Sequence, residues 1–162
     1  MTLATDHLKR LGIEFETAPH ARATSSIDEA RTLGVSAGEV AKVVVLDTAK
    51  GHMLAVVPAS TRVDVHRVRE ILDDPHVRLA TEEEIQRDYP NYELGALPPL
   101  GSLLATPMII DDELTSHATV VFADGIQTES VKMKTEDLVR VEHASVATIA
   151  MQPGTFDRDW MQ

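Results

Sequence analysis

Residues 42–57, KVVVLDTAKGHMLAVV, carry the strongest strand pattern in the chain. Lys42 is followed by four consecutive apolar residues, which indicates a strand that is buried on both faces. Residues 49–51, Ala-Lys-Gly, are typical of a turn, and the second apolar run stops at Pro58. The two runs therefore predict an antiparallel hairpin.

Helical patterns and short strands alternate on both sides of this hairpin. Residues 26–29, Ser-Ile-Asp-Glu, form a capping box that begins a helix, and residues 65–72 place apolar side chains at helical spacing. Further short strands are predicted at residues 77–79, 107–110, 119–123 and 130–133. Since hairpins occur together with interleaved helices, we predict a mixed α/β fold in which short helices surround a curved, mixed and partly barrel-like β-sheet.

Length and composition limit the kind of protein that this chain can be. A chain of 162 residues fits one domain, which we place at residues 1–150, and the weak periodicity after it predicts a C-terminal tail at 151–162. Cysteine is absent, which excludes disulfides, thiolate zinc sites and a cysteine nucleophile. With no apolar leader and no membrane-span pattern in the sequence, we expect a cytoplasmic protein.

The charge balance restricts the partners. Fifteen basic and 26 acidic residues give a formal charge of −11, which disfavours gripping long nucleic acid through its phosphates, so we expect neither DNA nor a membrane as a partner. The sequence lacks the phosphate-loop, dinucleotide-binding and serine-elbow motifs, and its seven histidines lack zinc spacing. We therefore expect no cofactor and no metal.

Residues 89–101, YPNYELGALPPLG, contain two glycines around a proline pair and predict a stiff, shaped loop. One interpretation is a simple connector between two elements. The other is a binding loop, in which the backbone N–H groups of Gly95, Ala96, Leu100 and Gly101 are unpaired and face a ligand. No lysine or arginine occurs between residues 88 and 131, so an anionic ligand at this loop would need cations from elsewhere in the chain.

Lys42 is the leading candidate for such a cation, because a lysine at the head of a buried strand usually has a partner or a task. The alternative is that its stem packs against the strand while the amine reaches solvent. The secondary basic candidates are Arg22, Arg62, Lys132 and Lys134, each of which is also compatible with an ordinary surface position.

Several pieces of sequence occur in an order that resembles a known family. They are His20 with Thr24 and the helix at 28–30, Lys42 after Val40-Ala41, residues 57–59, 62–64 and 77–84, the loop at 93–101, and Asp111. Together, from about His20 to about Val141, they resemble the YbaK / prolyl-tRNA synthetase editing-domain family of aminoacyl-tRNA deacylases. The order of lysine-headed strand, capped helix and G-A-x-P-P-x-G loop is the specific part of the resemblance.

The resemblance implies a pocket between the lysine strand and the glycine loop, in which the ester of a mischarged tRNA is hydrolysed. It implies a small amino acid, tRNA-Pro or a similar tRNA, few phosphate contacts at the acceptor end, and a synthetase as a further partner. It assigns catalytic roles to Lys42, Gly95 and Gly101. It assigns substrate binding to His20, Ala96, Leu97, Pro98, Pro99, Leu100, Gly125 and Gln127.

Two positions depart from the family pattern. Gln127 stands where many relatives have a histidine, and an amide cannot titrate. Val43 follows the lysine where a threonine is usual, which removes a hydroxyl from the pocket. These departures leave an alternative open, a non-catalytic module that binds an aminoacyl or nucleotide ligand, or a partner protein, without turnover.

Overall fold

The computed structural model describes residues 2–152. The helices are α1 Leu3–Arg10, α2 Ser26–Leu33, α3 Val65–Leu72, α4 Glu82–Asp88, α5 Gly101–Leu104, α6 Asp112–Thr115 and α7 Thr135–Glu142. The strands are β1 Phe15–Pro19, β2 Ala41–Thr48, β3 Gly51–Pro58, β4 Arg62–Val63, β5 Arg78–Leu79, β6 Met108–Asp111, β7 Thr119–Ala123, β8 Glu129–Lys134, β9 Ser145–Ala147 and β10 Ala150–Met151.

The strands form three sheets within the described residues. The largest has the order β5-β2-β3-β6-β9 and is mixed, since β2 and β3 are antiparallel while β6 runs parallel to both of its neighbours. The second sheet, β1-β8-β7, is antiparallel, and β10 pairs with β4 in the third. The mixed α/β fold is therefore confirmed. The barrel-like closure is not confirmed, because each of these sheets is open.

The hairpin predicted at residues 42–57 is confirmed as β2 and β3, with Lys42 opposite Val57. One face of the hairpin contributes Val45 and Leu54 to the main core, while Val57 on the other face packs in a second apolar cluster. A strand that is covered on both sides needs apolar residues at consecutive positions, which explains the sequence pattern.

The start of α2 differs in detail from the predicted capping box. The N-cap is Ser25, whose side-chain oxygen accepts a hydrogen bond from the Asp28 N–H at 3.2 Å. Glu29 does not reach back to the helix start, because its side chain is buried and bonded to Ser130 on β8. The local cap by Ser25 is present, and only the reciprocal bond expected from Glu29 is replaced by a tertiary contact.

Among the described residues, the strand β10 reaches into the segment expected to be a tail. Met151 pairs with Arg62 of β4, while residues 153–162 of that expected tail lie outside the described residues. Within residues 2–152, no helix is both long enough and apolar enough to span a membrane.

Candidate functional site

A cavity of about 300 Å³ lies between β2 and the glycine loop, residues 89–101. Strand β2 contributes one wall, and Ser26 at the start of α2 with the two residues before it contributes another. Leu79 on β5 and Ile85 on α4 complete the apolar part of the lining. Lys42, Gly95 and Leu97, which are far apart in the sequence, all line this one cavity.

Lys42 is half-buried at the edge of the cavity. Its Nζ donates a hydrogen bond to the backbone carbonyl oxygen of Thr61 at 2.5 Å. Burial lowers the pKa of Lys42, and the nearby positive charge of Arg62 lowers that pKa further. An ammonium has three donors, and no carboxylate pairs with Lys42 in the part of the chain that the structure describes. Two donors on Nζ therefore remain for an acceptor in the cavity.

Gly95 brings the glycine loop into direct contact with the segment before α2. Its φ of 77° lies in the left-handed region, and a Cβ there would lie 2.5 Å from the carbonyl oxygen of Thr24. Only glycine allows both the backbone conformation and this approach. The absence of a side chain at Gly95 therefore lets the two sides of the cavity approach each other closely.

Two of the four loop N–H groups that were expected to face a ligand do not. The Ala96 N–H bonds to the carbonyl oxygen of Glu93 at 3.1 Å, and the Gly101 N–H points at Met108 Sδ, also at 3.1 Å. That expectation was wrong for Ala96 and Gly101, because Ala96 closes a local turn and Gly101 starts the buried helix α5. Space at Gly101 is needed for packing, since a Cβ there would clash with the carbonyl oxygen of Thr106.

Other N–H groups of the same loop remain available. Within residues 2–152, the backbone N–H groups of Gly95 and Leu97 have no acceptor, and both residues line the cavity. The residues around them, Ala96, Pro98, Pro99 and Leu100, are buried and do not line it. Available donors on a stiff loop can stabilise negative charge that develops on a bound carbonyl oxygen.

Gln127 links the glycine loop to the β7–β8 turn by hydrogen bonds. Its Nε2 donates to the carbonyl oxygen of Leu94 at 2.7 Å, and its backbone N–H donates to Glu93 Oε1 at 2.9 Å. Its Oε1 accepts from Arg22 Nη1 at 2.6 Å, and Arg22 also pairs with Glu93 at 3.1 Å. The Gln127 N–H and Arg22 hold the pKa of Glu93 below its usual range. An amide suits this position because it donates and accepts at once.

Gly125 lies in the same turn and contacts Tyr92. Its φ is 105°, and a Cβ would lie 2.9 Å from a ring carbon of Tyr92. Its carbonyl oxygen accepts a hydrogen bond from the Glu93 N–H at 2.9 Å. Gly125 therefore supports the glycine loop through its contacts with Tyr92 and Glu93, and it does not line the cavity.

His20 also lies outside the cavity lining. Its Nε2 is 2.9 Å from Ser130 Oγ, and its Nδ1 is 2.7 Å from the carbonyl oxygen of Ala21. Because both ring nitrogens have protein partners, the structure gives His20 no direct contact with a ligand in the cavity.

The sequence did not identify the α2 side of the cavity, which is formed by Thr24, Ser25 and Ser26. Adjacent serines indicated where a helix begins, but no local pattern says that this helix start faces β2. Leu79 and Ile85 were also missed, because in the sequence an apolar residue that lines a cavity cannot be told from an ordinary core residue.

Asp124, a buried carboxyl group, lies at the end of β7 next to the cavity residue Ala123, with the half-buried Glu129 beside it. Asp124 is 1% exposed, and neither carboxylate oxygen has a hydrogen-bond partner among the described residues. Burial and the neighbouring Glu129 raise the pKa of Asp124 to about 8. Two ionised carboxylates are both acceptors, so these two side chains can bond to each other only when one of them carries a proton.

We expect Asp124→Asn to remove a pH-dependent loss of stability. The folded-state pKa lies above the unfolded value of about 3.9, so the folded protein binds more protons and its stability falls as the pH rises from about 4 to 8. Calorimetry at pH 5 and pH 8.5 should show a fall in Tm that is roughly 4–8 °C larger in the wild type than in the variant. The exposed Glu136→Gln is the control for net charge, and parallel pH curves for wild type and Asp124→Asn would contradict this interpretation.

Comparison with known proteins finds one matching family and several solved structures with a similar fold. A family model described as an aminoacyl-tRNA editing domain matches residues 20–141. The structure is similar to the crystal structure of a hypothetical protein, with a TM-score of 0.84 and 23% identity over 92% of this chain and 99% of the other. None of the curated proteins matches this chain significantly.

Two further solved structures share the fold. One is described as a proposed trans-editing enzyme for prolyl-tRNA synthetase, with a TM-score of 0.81 and 22% identity over 92% of this chain and 95% of that one. The other is a proposed signal transduction protein from Marinobacter aquaeolei VT8, with a TM-score of 0.72 and 17% identity, which this chain matches over 99% of its own length but only 35% of that chain. Identities this low show a common fold alone.

Proposed function

The chain belongs to the aminoacyl-tRNA editing domain family, and from this premise we propose that it is a trans-acting aminoacyl-tRNA deacylase. The family resemblance noted in the motifs from about His20 to about Val141 is confirmed by that match. The proposed substrate is the ester that joins a wrongly attached small amino acid to the terminal adenosine of tRNA-Pro or a similar tRNA. One observation carries the proposal: Lys42, Gly95 and Leu97 line one cavity, and the N–H groups of Gly95 and Leu97 have no acceptor among the described residues.

Lys42 is the proposed anchor for the terminal nucleotide. Its ammonium is held in place by Thr61, and the charge of Arg62 lies close enough to lower its pKa. Two neighbouring cations create a locally positive region on a protein whose formal charge is −11. Such a site suits the phosphate or ribose of a single-stranded end, with few phosphate contacts, and leaves delivery of the rest of the tRNA to a synthetase.

The glycine loop is the proposed cradle for the ester carbonyl. Hydrolysis turns that carbonyl oxygen into an oxyanion, and the N–H groups of Gly95 and Leu97 are the available donors on the cavity wall. The bonds from Gln127 to Leu94 and Glu93 hold the loop in this shape before a substrate arrives. Donors that are already oriented do not need to reorganise during the reaction.

Water is the proposed nucleophile. The cavity lining contains no cysteine and no histidine, and Ser25 uses its hydroxyl oxygen to cap α2. The Thr24 hydroxyl donates to the Asp28 carboxylate at 3.3 Å, but the described lining offers no histidine to act as a general base for a covalent route. A water molecule activated by the substrate's own 2′-hydroxyl or phosphate requires correct placement above all, which the cavity provides.

The cavity walls favour a small, uncharged side chain. Val43 and Val45 on β2 face the same space as Leu79, Ile85 and Leu97. A cavity of about 300 Å³ that also receives the ribose and the ester leaves little room for the amino acid. Val43 offers no hydroxyl, so we expect alanine to be accepted more readily than serine.

A deacylation panel tests this proposal. The wild-type protein is incubated with tRNA-Pro charged with alanine, serine, cysteine or proline, and the release of each amino acid is followed over time. We expect release from the small mischarged forms, fastest for alanine, and little release of proline. Binding of these substrates without release from any of them would contradict the deacylase proposal and support the non-catalytic alternative.

A further inference from the structure

Glu29 is a buried carboxyl group that the proposed chemistry does not use. It lies on α2, is 3% exposed, and accepts a short hydrogen bond from Ser130 Oγ on β8. Burial raises the pKa of Glu29, while the Ser130 bond and the charge of His20 lower it, and the net change is upward. A buried carboxyl group without partners is costly, so this one depends on the hydroxyl beside it.

His20 completes a chain of three side chains, His20–Ser130–Glu29. The Ala21 carbonyl oxygen can only accept, so the His20 Nδ1 that lies 2.7 Å away from it carries a hydrogen. When both ring nitrogens carry a hydrogen, His20 Nε2 donates to Ser130 Oγ at 2.9 Å and Ser130 donates to the ionised Glu29. When that proton lies on the carboxyl group instead, Glu29 donates to Ser130 and Ser130 donates to Nε2. In both cases the two ring nitrogens, the hydroxyl group and Glu29 Oε2 each have a partner.

This chain of bonds ties α2 to the antiparallel pair formed by β1 and β8. His20 follows β1, and its backbone N–H continues the ladder by bonding to the carbonyl oxygen of Thr128 at 2.9 Å. Ser130 lies opposite Ala18 in that ladder. Glu29 joins α2 to this ladder, so the buried contact, together with the packing of Ala30 against Val121, sets how the helix lies on the sheet.

The same helix positions one side of the cavity. Thr24, immediately before the Ser25 cap, has its carbonyl oxygen so close to Gly95 that no Cβ fits between them. A shift of α2 would therefore press on the loop that carries the Gly95 N–H. The Lys42 ammonium is held by Thr61, which belongs to neither α2 nor the β1–β8 ladder. A shift of α2 would thus press directly on the Gly95 side of the cavity, and it would reach the Lys42 side only indirectly, through the apolar packing of Ala30 against Val40 and Ala59.

We propose that His20, Ser130 and Glu29 are positioning residues that set the oxyanion donors of the glycine loop through α2 without contributing to nucleotide anchoring. This inference rests on the proposed deacylase function. It predicts a separation of kinetic effects: the loss of the chain lowers kcat, while KM for the mischarged tRNA stays nearly the same.

The test uses Ser130→Ala and Glu29→Ala in the full chain. We expect kcat for deacylation to fall roughly 10–100-fold, because small displacements of catalytic groups cost about that much, and KM to change by less than about threefold. Glu29→Gln keeps an acceptor for Ser130 and should restore most of kcat. The matched control is Thr119→Ala, which removes a hydroxyl that donates to the Glu39 carboxylate at 2.9 Å, away from the cavity, and should leave kcat unchanged.

Hydrogen–deuterium exchange gives a readout that does not require activity. In Ser130→Ala, the hydrogen-bonded amides of Asp28 and Glu29 at the start of α2, and of Glu93 and Ala96 in the glycine loop, should exchange faster, while those of the β2–β3 hairpin stay protected. If the wild-type protein lacks deacylase activity but Ser130→Ala shows this faster exchange, the proposed function is refuted and the positioning role is still supported. Unchanged exchange at Glu93 and Ala96, unchanged kcat in Ser130→Ala, or a rise in KM alone would overturn the inference.

Discussion

Replacing Lys42 by methionine is expected to lower kcat/KM for deacylation of a mischarged tRNA by about 10²-fold. A charge-assisted hydrogen bond to a substrate contributes about 1.5–3 kcal/mol, and 2.7 kcal/mol corresponds to roughly 10²-fold in rate. Methionine keeps the aliphatic stem that packs at the cavity edge, so the change reports on the ammonium alone. The measurement is the initial rate of amino acid release over a range of tRNA concentrations.

Two controls separate the role of Lys42 from a general effect. Lys132→Met removes an exposed lysine from β8, outside the cavity lining, and should leave kcat/KM near the wild-type value. The Tm of Lys42→Met should change little, since burial already disfavours the charged form of this amine and its removal relieves that cost. A Lys42→Met protein with full activity and a normal Tm would remove Lys42 from the proposed mechanism.

Gly95→Ala is expected to have an equally large effect by a different route. Alanine at a φ of 77° costs about 1–2 kcal/mol, and its Cβ would lie 2.5 Å from the Thr24 carbonyl oxygen, so the loop must move. A displacement of about 1 Å in the proposed oxyanion donors would lower kcat by roughly 10²-fold. Kinetics and thermal unfolding of the same preparation measure the two consequences together.

Gly34→Ala is the matched control for this substitution. Gly34 ends α2 with a φ of 70°, but a Cβ added there meets nothing within 4 Å. Both variants therefore carry the same backbone strain, and only Gly95→Ala carries the clash. Equal losses of activity in the two variants would show that strain alone explains the effect and that the contact with Thr24 is unimportant.

Much of the fold could be predicted locally. Consecutive apolar residues identified β2 and β3, and helical spacing placed α3 at Val65–Leu72 with its observed bounds. Sheet closure could not be predicted, because it depends on how many strands meet and in which order. The parallel pairing of β6 with β3 joins segments that are about fifty residues apart, and no local signal encodes that choice.

The candidate site shows a similar division. Lysine before a buried strand and glycine beside a proline pair are unusual enough to mark Lys42 and Gly95 from the sequence alone. The bonds that decide which N–H groups are available are not local, as the partner of Gly101 is Met108 in another element. Gln127 was expected to contact a ligand, but its side chain reaches Leu94 and Arg22.

The sequence by itself determined the hairpin, helix α3 and the presence of a strand-heading lysine and a stiff glycine loop, because propensity and burial patterns act over a few neighbouring residues. Only the tertiary structure decided that Lys42 and Gly95 line one cavity, that α2 forms its third side, and that His20 and Glu29 meet through Ser130. Those contacts join residues separated by about fifty to 110 positions, and they depend on how whole elements pack rather than on what any one segment prefers.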